Sequence, residues 1–238
     1  MSLPFFYKAT IDPAADEVVL DEETSKHIVQ VLRMQSGEPL QLTDGNGNLL
    51  FAEIIEPNRK NCILKIQSSS FQSRTAQKTT LAVSLVKNAH RFEWLLEKAT
   101  EIGVNEIIPL LCSRTEKQHF RVERMRSILV SAMLQSQQSW LPVLREPIKY
   151  ATYIKSVKED SRLKKFIAHC EKDEPRIQLY SFRPFDSSVI LIGPEGDFTI
   201  DEIELALKNN FVPVALGNTR LRSETAGIVA AAILSFSQ

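Results

Sequence analysis

The hydrophobic and polar positions of the first seventy residues follow a pattern that is typical of a β-rich domain. Segment 39–43 alternates polar and apolar side chains, the residues Asp-Gly-Asn-Gly follow it at 44–47, and segment 49–55 is mostly apolar. Glycines after Asp and Asn supply the positive φ that a tight hairpin needs. The pattern predicts a hairpin over 39–55, a further strand at 62–67 and a short helix at 25–33.

The pattern changes after residues 68–78, SSSFQSRTAQK, which are polar and serine-rich and are the predicted domain boundary. Beyond them, apolar runs typical of strands alternate with apolar residues at helical spacing. Strands are predicted at 81–85, 106–111, 166–168, 189–192 and 211–216, and helices at 92–102, 122–133, 199–209 and 224–236. Gly103 stands where a helix-ending glycine belongs, and Thr199 with Glu202 forms a capping box. This order predicts a mainly parallel sheet covered on both faces.

Composition supports a globular protein. Hydrophobic residues make up 43% of the 238 residues and charged residues 24%, so the chain can bury a hydrophobic core that is stable without disulfides or structural metals. Its three cysteines (Cys62, Cys112 and Cys170) are far apart and lack metal-binding spacing, which predicts reduced thiols and no metal. The apolar run 228–234 is too short to cross a bilayer, and the N-terminus lacks a signal-peptide pattern. We therefore expect a cytoplasmic protein with no membrane partner.

Charge is balanced in total, at 29 basic and 29 acidic residues, but it is unevenly distributed. Residues 1–25 hold one basic and six acidic residues, whereas 26–91 hold nine basic and four acidic ones. Segment 114–126 has five basic residues against two acidic ones. The neutral total argues against a protein that coats nucleic acid indiscriminately. The basic stretches are open to two interpretations: a polyanion-binding face or ordinary solvated surface charge.

Two loops at predicted strand ends are candidates for chemistry. One reads LIGPEGDF (191–198) and the other LGNTRLRSETA (216–226). Ligands of parallel α/β sheets bind at such strand ends, and glycine allows a backbone to approach a ligand closely. Neither loop has a phosphate-binding glycine pattern or a nucleophile elbow, so a plain tight turn remains an alternative for GPEG. The last helix is rich in small residues around Gly227, which indicates either close packing or simple helix propensity.

These segments together resemble a known family. LIGPEGDFTIDEIELA and LGNTRLRSETAGIVAAAIL are similar to the two signature segments of SPOUT-class methyltransferases of the RsmE type. HIVQVLRM, QSGEPLQLTDGNG, KNAHRFEWLLEKATEIGVNEIIPL and SRTE match the same family in order and spacing. The resemblance covers most of the chain. It implies methylation of N3 of a uridine in small-subunit (16S) ribosomal RNA, with S-adenosyl-L-methionine as cofactor.

The resemblance also implies a fold and partners. The fold class is α/β, with a PUA-like RNA-binding β-barrel over 1–72 and a SPOUT methyltransferase domain over 73–238. The C-terminal part of that domain is expected to form a deep trefoil knot, an exception to the usual rule against knots. The implied partners are 16S rRNA or the small ribosomal subunit and a second copy of the chain, because the family's pocket is completed in a homodimer.

The site residues follow by position in the family's motifs. The implied cofactor-binding residues are His169, Ile192, Gly193, Pro194, Glu195, Gly196, Leu216, Gly217, Asn218 and Leu221. The implied catalytic residues are Arg222 and Glu224, and the implied RNA-binding residues are Arg33, Arg114, Arg121 and Arg124. For His169 the alternative is a structural histidine. For Arg222 with Glu224 it is a surface ion pair worth under about 1 kcal/mol.

The sequence departs from the family pattern at three places. Leu3-Pro4-Phe5-Phe6 lacks an arginine, segment 134–138 loses the family's Glu and Gly-Arg, and Thr219 replaces an arginine with Arg220 one place later. These changes affect the expected RNA contacts more than the reaction class. The alternatives left open are a SPOUT methyltransferase on another rRNA or tRNA position, an inactive RNA-binding module, and a nucleotide-binding metabolic enzyme.

Overall fold

The computed structural model describes residues 3–116, 119–157, 160–171, 177–182 and 186–236. The chain forms two compact units. The first comprises Met1–Arg74 together with Met133–Leu141, and the second comprises Thr75–Ala132 together with Pro142–Gln238.

The described residues of the first unit form a five-stranded sheet. Its strands are β1 (Phe5–Tyr7), β2 (Glu17–Val19), β3 (Pro39–Thr43), β4 (Asn48–Glu56) and β5 (Ile63–Phe71). They lie in the order β1-β3-β4-β5-β2, with β1 parallel to β3 and the other pairs antiparallel. The predicted hairpin is confirmed, and Gly45 and Gly47 in its turn have φ of 71° and 93°.

Two predictions for this unit were wrong at their limits. The helix expected over 25–33 begins earlier, as α1 (Glu22–Lys26), because the Asp21 side chain accepts the backbone N–H of Thr24. It continues as a π-helical turn (His27–Val31) and ends before Arg33, whose φ of 57° is left-handed. Residues 68–71, expected in a linker, extend β5, because Ser68, Ser69 and Ser70 pair with β4.

The segment Met133–Leu141 packs on the hairpin turn of the first unit. The Ser139 carbonyl accepts hydrogen bonds from the Gly47 N–H and the Thr43 hydroxyl, at 2.9 and 3.3 Å. The Leu141 N–H donates to the Gly45 carbonyl at 2.8 Å. These bonds satisfy backbone groups of a turn that would otherwise face solvent.

The described residues of the second unit form an eight-stranded sheet in which every pair is parallel. The strands are β6 (Lys78–Ser84), β7 (Glu106–Leu111), β8 (Val143–Leu144), β9 (Ile148–Lys149), β10 (Lys164–Ala168), β11 (Ile177–Gln178), β12 (Ser187–Ile192) and β13 (Val212–Ala215). Their order is β11-β13-β10-β12-β6-β7-β8, and β9 also pairs with β7. The predicted parallel sheet is confirmed.

Helices cover both faces of this sheet. They are α2 (Ala89–Ile102), α3 (Val122–Gln135), α4 (Tyr150–Ser156), α5 (Ile200–Lys208) and α6 (Ser223–Phe236), with a 3₁₀ turn at Leu179–Ser181. Side chains alternate between the faces of a strand: Ala82 joins the core under α4 and α5, whereas Leu81 approaches α6. Gly103 at φ 90° ends α2, and the Thr199–Glu202 capping box begins α5, both as predicted.

Helices α2 and α6 pack closely on one another. A Cβ atom at position 227 would lie 2.5 Å from Leu95 Cδ1, so any larger residue there would force the Leu95 side chain to move. The packing interpretation of the small residues in α6 is thereby confirmed. Within the described ranges, none of the helices has the length and hydrophobicity needed to cross a membrane.

Candidate functional site

A cavity of about 370 Å³ opens at the carboxyl ends of β10, β12 and β13, three neighbouring strands of the parallel sheet. The loops after these strands and the first turn of α6 supply its walls. The lining residues are Ala168, His169, Cys170, Ile192, Gly193, Pro194, Glu195, Asp197, Val214, Ala215, Leu216, Gly217, Thr219, Arg220, Leu221, Arg222, Ser223 and Ala226.

Most of the residues expected at a cofactor site line this one cavity. From the predicted cofactor-binding set these are His169, Ile192, Gly193, Pro194, Glu195, Leu216, Gly217 and Leu221, and Arg222, predicted to be catalytic, lines the same cavity. Gly196 and Asn218 belong to the two loops that line the cavity, and Glu224 belongs to α6, but none of these three residues lines the cavity itself. Asp197, Thr219 and Arg220 were missed, although they lie in the same two sequence segments. The roles of all these residues stay predictions.

The loop after β12 is a tight turn stabilised by Asp197. The Asp197 N–H donates to the Pro194 carbonyl at 2.9 Å, and Asp197 itself has a left-handed φ of 65°. Its Oδ1 accepts the Phe198 N–H at 2.8 Å, and its Oδ2 accepts the Cys170 N–H at 2.7 Å. The Asp197 carboxylate therefore joins the loop after β12 to the loop after β10.

Gly193 permits a close approach within the same loop. A Cβ atom there would lie 3.1 Å from the Phe198 ring. Phe198 is itself buried and contacts Tyr150, with ring centroids 5.3 Å apart. A larger residue at position 193 would push either this aromatic pair or the cavity wall.

Side chains from outside the loop also hold it in place. Arg114 Nη1 donates to the carbonyls of Gly196 and Phe198. Glu195 Oε1 accepts the backbone N–H of Lys87 at 2.9 Å. Arg114, predicted to contact RNA, thus has a direct structural contact with the turn beside the cavity.

The loop after β13 leads into α6 and carries two exposed arginines. Gly217 has a φ of 135°, a backbone conformation that residues other than glycine rarely adopt. Arg220 and Arg222 are exposed and line the cavity. Among the described residues, none forms a hydrogen bond or ion pair with the guanidinium of Arg222. The first turn of α6 brings backbone N–H groups to the same wall, where they favour negative charge.

Glu224 is buried in the first turn of α6, with 6% of its surface exposed. Its Oε1 lies 3.6 Å from Arg91 Nε on α2, and its Oε2 has no hydrogen-bond partner within the described ranges. The surface ion pair with Arg222, which the sequence left as an alternative, is not formed. Glu224 instead links α6 to α2.

The other predicted RNA-binding arginines have different environments. Arg124 makes two hydrogen bonds to Glu93, at 3.2 and 3.0 Å; this pairing raises the pKa of Arg124 and lowers the pKa of Glu93. Arg121 Nε donates to His119 Nε2 at 3.3 Å. Arg33 belongs to the first unit and is exposed. Lys117, counted in the same basic stretch, lies outside the described residues.

Two titratable residues of the cavity lining, His169 and Cys170, differ in exposure. His169 is buried, and its Nδ1 accepts the Glu171 N–H at 3.2 Å. Cys170 is exposed in the cavity wall, whereas burial raises the pKa of Cys112 to about 12. In the described part of the chain, His, Cys, Asp and Glu side chains form no cluster that could hold a metal ion.

Comparison with known families decides what kind of protein carries this cavity. Residues 73–235 match the model of an RNA methyltransferase domain. The chain belongs to this RNA methyltransferase family. Residues 20–67 match an RNA methyltransferase PUA domain, so the first unit of this methyltransferase contains a PUA-like domain. The family resemblance stated from the sequence is confirmed.

Relatives of the methyltransferase match most of this chain. The Ribosomal RNA small subunit methyltransferase E of Synechocystis sp. is 30% identical over 90% of this chain and 71% of its own. The structure of a probable rRNA-methyltransferase from Porphyromonas gingivalis is 37% identical, with a TM-score of 0.86 over 96% of this chain and 95% of that one. The structure of a Ribosomal RNA small subunit methyltransferase E from Neisseria gonorrhoeae bound to S-adenosyl methionine is 27% identical, with a TM-score of 0.83 over 97% and 96% of the two chains.

Proposed function

We propose that this methyltransferase transfers a methyl group from S-adenosylmethionine to N3 of a uridine in 16S ribosomal RNA of the small subunit. The observation that carries the proposal is the cavity at the ends of β10, β12 and β13, lined by the two loops that resemble the family's signature segments. The Neisseria gonorrhoeae relative that binds S-adenosyl methionine supports the same assignment.

The residues of the cavity suit this cofactor. A volume of about 370 Å³ lies in the usual range for small-molecule sites. Ile192, Val214 and Leu216 offer apolar wall for a planar adenine. Gly193 and Gly217 leave backbone groups uncovered by side chains, so that a ligand can approach them closely. The proposed cofactor-binding set is the one expected from the sequence: His169, Ile192, Gly193, Pro194, Glu195, Gly196, Leu216, Gly217, Asn218 and Leu221.

The bound cofactor supplies an electrophilic methyl group on a sulfonium. The target nitrogen lies on the Watson–Crick edge of uracil, so the base must be unpaired or extruded before it reacts. N3 must also lose its proton. A guanidinium beside the uracil oxygens stabilises the negative charge that develops. Arg222, exposed in the cavity wall and unrestrained by a described neighbour, is the proposed source of that guanidinium.

Glu224 is proposed as a positioning residue. Its buried carboxylate lies 3.6 Å from Arg91 and therefore fixes the first turn of α6, which directly follows Arg222. The loop that carries Arg222 is then anchored at its C-terminal end. Positioning of this kind supplies a large share of the rate in a single displacement step.

The remaining expectations are part of the same proposal. We assign residues 1–72 to a PUA-like RNA-binding β-barrel and 73–238 to the methyltransferase domain, with a deep trefoil knot in its C-terminal part. We propose a homodimer that works in the cytoplasm and needs no metal. Arg33, Arg114, Arg121 and Arg124 are the proposed RNA-binding residues. Glu93 compensates the charge of Arg124, and hydrogen bonds to loop carbonyls hold the guanidinium of Arg114 in place. Within the described residues, Arg33 and Arg121 therefore offer charges that are both uncompensated by a carboxylate and free of the loop.

The proposal is tested by mapping modified nucleotides in 16S rRNA by mass spectrometry, from cells with and without the gene. We expect one N3-methyluridine to disappear on deletion and to return with the wild-type gene. Full retention of that modification would disprove the substrate assignment. The main alternative is an inactive RNA-binding module. Calorimetry with S-adenosylmethionine distinguishes it from the proposed methyltransferase, because such a module would show no affinity for the cofactor.

A further inference from the structure

An aromatic and cationic cluster stands on the surface of the first unit. Phe71, the last residue of β5, is 61% exposed. Its ring meets Trp140 edge to face, with centroids 5.9 Å apart and planes at 81°. The guanidinium carbon of Arg74 lies 4.9 Å from the centroid of the Trp140 ring.

Trp140 holds this cluster in a fixed geometry. Its Nε1 donates to the Gln72 carbonyl at 2.8 Å. A Cβ atom at position 47 would lie 2.6 Å from the Trp140 ring, so the indole packs directly on the backbone of Gly47. Ser139 adds a hydrogen bond to Gln72 Oε1 at 2.6 Å. Phe71 is therefore an exposed ring on a rigid support, and little conformational entropy is lost when a ligand covers it.

The surrounding chain defines the chemistry of such a ligand. Segments 45–52, 67–74 and 133–141 build this part of the unit, and Arg74 is their one charged residue. Their polar residues are mostly amides and hydroxyls, such as Asn46, Gln72 and Ser139. A membrane surface or an acidic peptide calls for several cations. A flat aromatic ring with amides and one guanidinium beside it suits a planar group that has hydrogen-bonding edges and is joined to a single nearby anion.

We propose that Phe71 is a stacking platform for one unpaired nucleobase of the substrate RNA, with Arg74 directed to the adjoining phosphate. Aromatic side chains stack on unpaired bases without regard to sequence, and arginine adds cation–π and phosphate contacts. Trp140 and Gly47 position the platform. This inference rests on the proposed function, since it assigns a contact of the same RNA substrate.

The first test measures RNA affinity directly. Full-length wild-type protein and the variants Phe71→Ala, Phe71→Tyr and Phe236→Ala are titrated into a fluorescently labelled single-stranded RNA, and separately into a 16S rRNA fragment. Loss of one base–aromatic stack is expected to weaken binding roughly 5- to 100-fold for Phe71→Ala. Phe71→Tyr should bind like the wild type. Phe236→Ala is the matched control, because Phe236 is a phenylalanine of similar exposure, 67%, on α6.

The second test uses the intrinsic fluorescence of Trp140. The sequence has two tryptophans, so Trp94→Phe leaves Trp140 as the single reporter beside Phe71. We expect RNA to change this emission in the Phe71-containing protein and to change it much less after Phe71→Ala. Equal RNA affinity of wild type and Phe71→Ala, or an unchanged Trp140 signal, would overturn the inference. A change of oligomeric state on Phe71→Ala, seen by light scattering, would assign the ring to a contact between copies instead.

The two proposals fail in different ways. If wild-type protein methylates 16S rRNA and Phe71→Ala leaves affinity and KM unchanged, the platform is disproved and the proposed function stands. If the wild type binds neither cofactor nor RNA, the proposed function is disproved together with the platform. Calorimetry with S-adenosylmethionine should give the same affinity for wild type and Phe71→Ala, because Phe71 is not among the residues that line the cavity.

Discussion

Asp197 Oδ2 accepts a hydrogen bond from the backbone N–H of Cys170 at 2.7 Å, and this contact joins two loops that follow different strands of the sheet. The same carboxylate accepts the Phe198 N–H, so one side chain holds the loop after β12 against the loop after β10. The shape of the cavity therefore depends on a residue that faces two loops at once.

Replacing Asp197 by alanine should weaken S-adenosylmethionine binding by about tenfold or more. A hydrogen bond to a charged group contributes about 1.5–3 kcal/mol, and each 1.4 kcal/mol corresponds to a factor of ten in affinity. Calorimetry with the cofactor checks the result. Asp186→Ala removes an exposed aspartate outside the cavity lining and should leave the affinity unchanged. Equal affinities for both variants would show that the two loops keep their spacing without Asp197.

Gly227→Ala should destabilise the protein although alanine is the better helix former. The substitution gains about 1 kcal/mol of helix propensity, but the new methyl group would lie 2.5 Å from Leu95 Cδ1. Overpacking of a close-packed core costs about 1–3 kcal/mol. Urea denaturation should therefore show a net loss of about 1 kcal/mol.

A double-mutant cycle with Leu95→Ala identifies the cause of that loss. Leu95 is buried, so Leu95→Ala alone leaves a cavity and destabilises the protein. In the double variant the alanine methyl at position 227 fills part of that space. The combined loss should be smaller than the sum of the single losses, and simple additivity would mean that the contact with Leu95 is not the cause.

Arg222→Ala should keep cofactor binding and lose most methyl transfer. Removal of one charge-stabilising donor typically costs roughly 10²-fold in rate. Arg220→Ala is the matched control, because Arg220 is also exposed and also lines the cavity. Single-turnover transfer of a radiolabelled methyl group to 16S rRNA measures both variants. A rate loss shared equally by the two variants would indicate a general charge effect and would remove Arg222 from its catalytic role.

Thiol labelling should distinguish Cys170 from the other cysteines. Cys170 is exposed in the cavity wall. Burial raises the pKa of Cys112 to about 12 and also raises the pKa of Cys62. The thiolate is the reactive form, so at pH 8 iodoacetamide should modify Cys170 far faster than the other two, as read by mass spectrometry.

S-adenosylmethionine should slow this labelling, since it is proposed to occupy the same cavity. Cys170→Ser is the control, and it should remove the fast phase of modification. Labelling of Cys170 at one rate with and without saturating cofactor would place the cofactor elsewhere.

The sequence predicted the second unit well because its signals are local. Strands and helices alternate at regular spacing, Gly103 ends α2, and Thr199 with Glu202 begins α5. A parallel sheet follows from that order. The cavity could be predicted for the same reason, since both of its principal loops directly follow apolar strands and contain glycine.

The features that the sequence did not predict depend on contacts between distant parts of the chain. The serine-rich residues 68–70 form strand because β4 lies beside them, although their composition is that of a linker. The bond from Asp197 to Cys170 and the pairing of Glu224 with Arg91 each join residues far apart in sequence. No periodicity or motif records such pairs. Family resemblance supplied residue identities at the site, but it could not supply their partners.

The return of residues 133–141 to the first unit has a consequence for synthesis on the ribosome. The chain is made from its N-terminus, and domains generally fold as they emerge. The turn around Gly47 lacks its contacts with Ser139, Trp140 and Leu141 until those residues have been synthesised. By that point β6, α2, β7 and α3 have already been translated. The N-terminal unit therefore cannot complete its native contacts before a large part of its neighbour exists. A fragment that ends at residue 74 should be less stable than the same sequence within the whole protein.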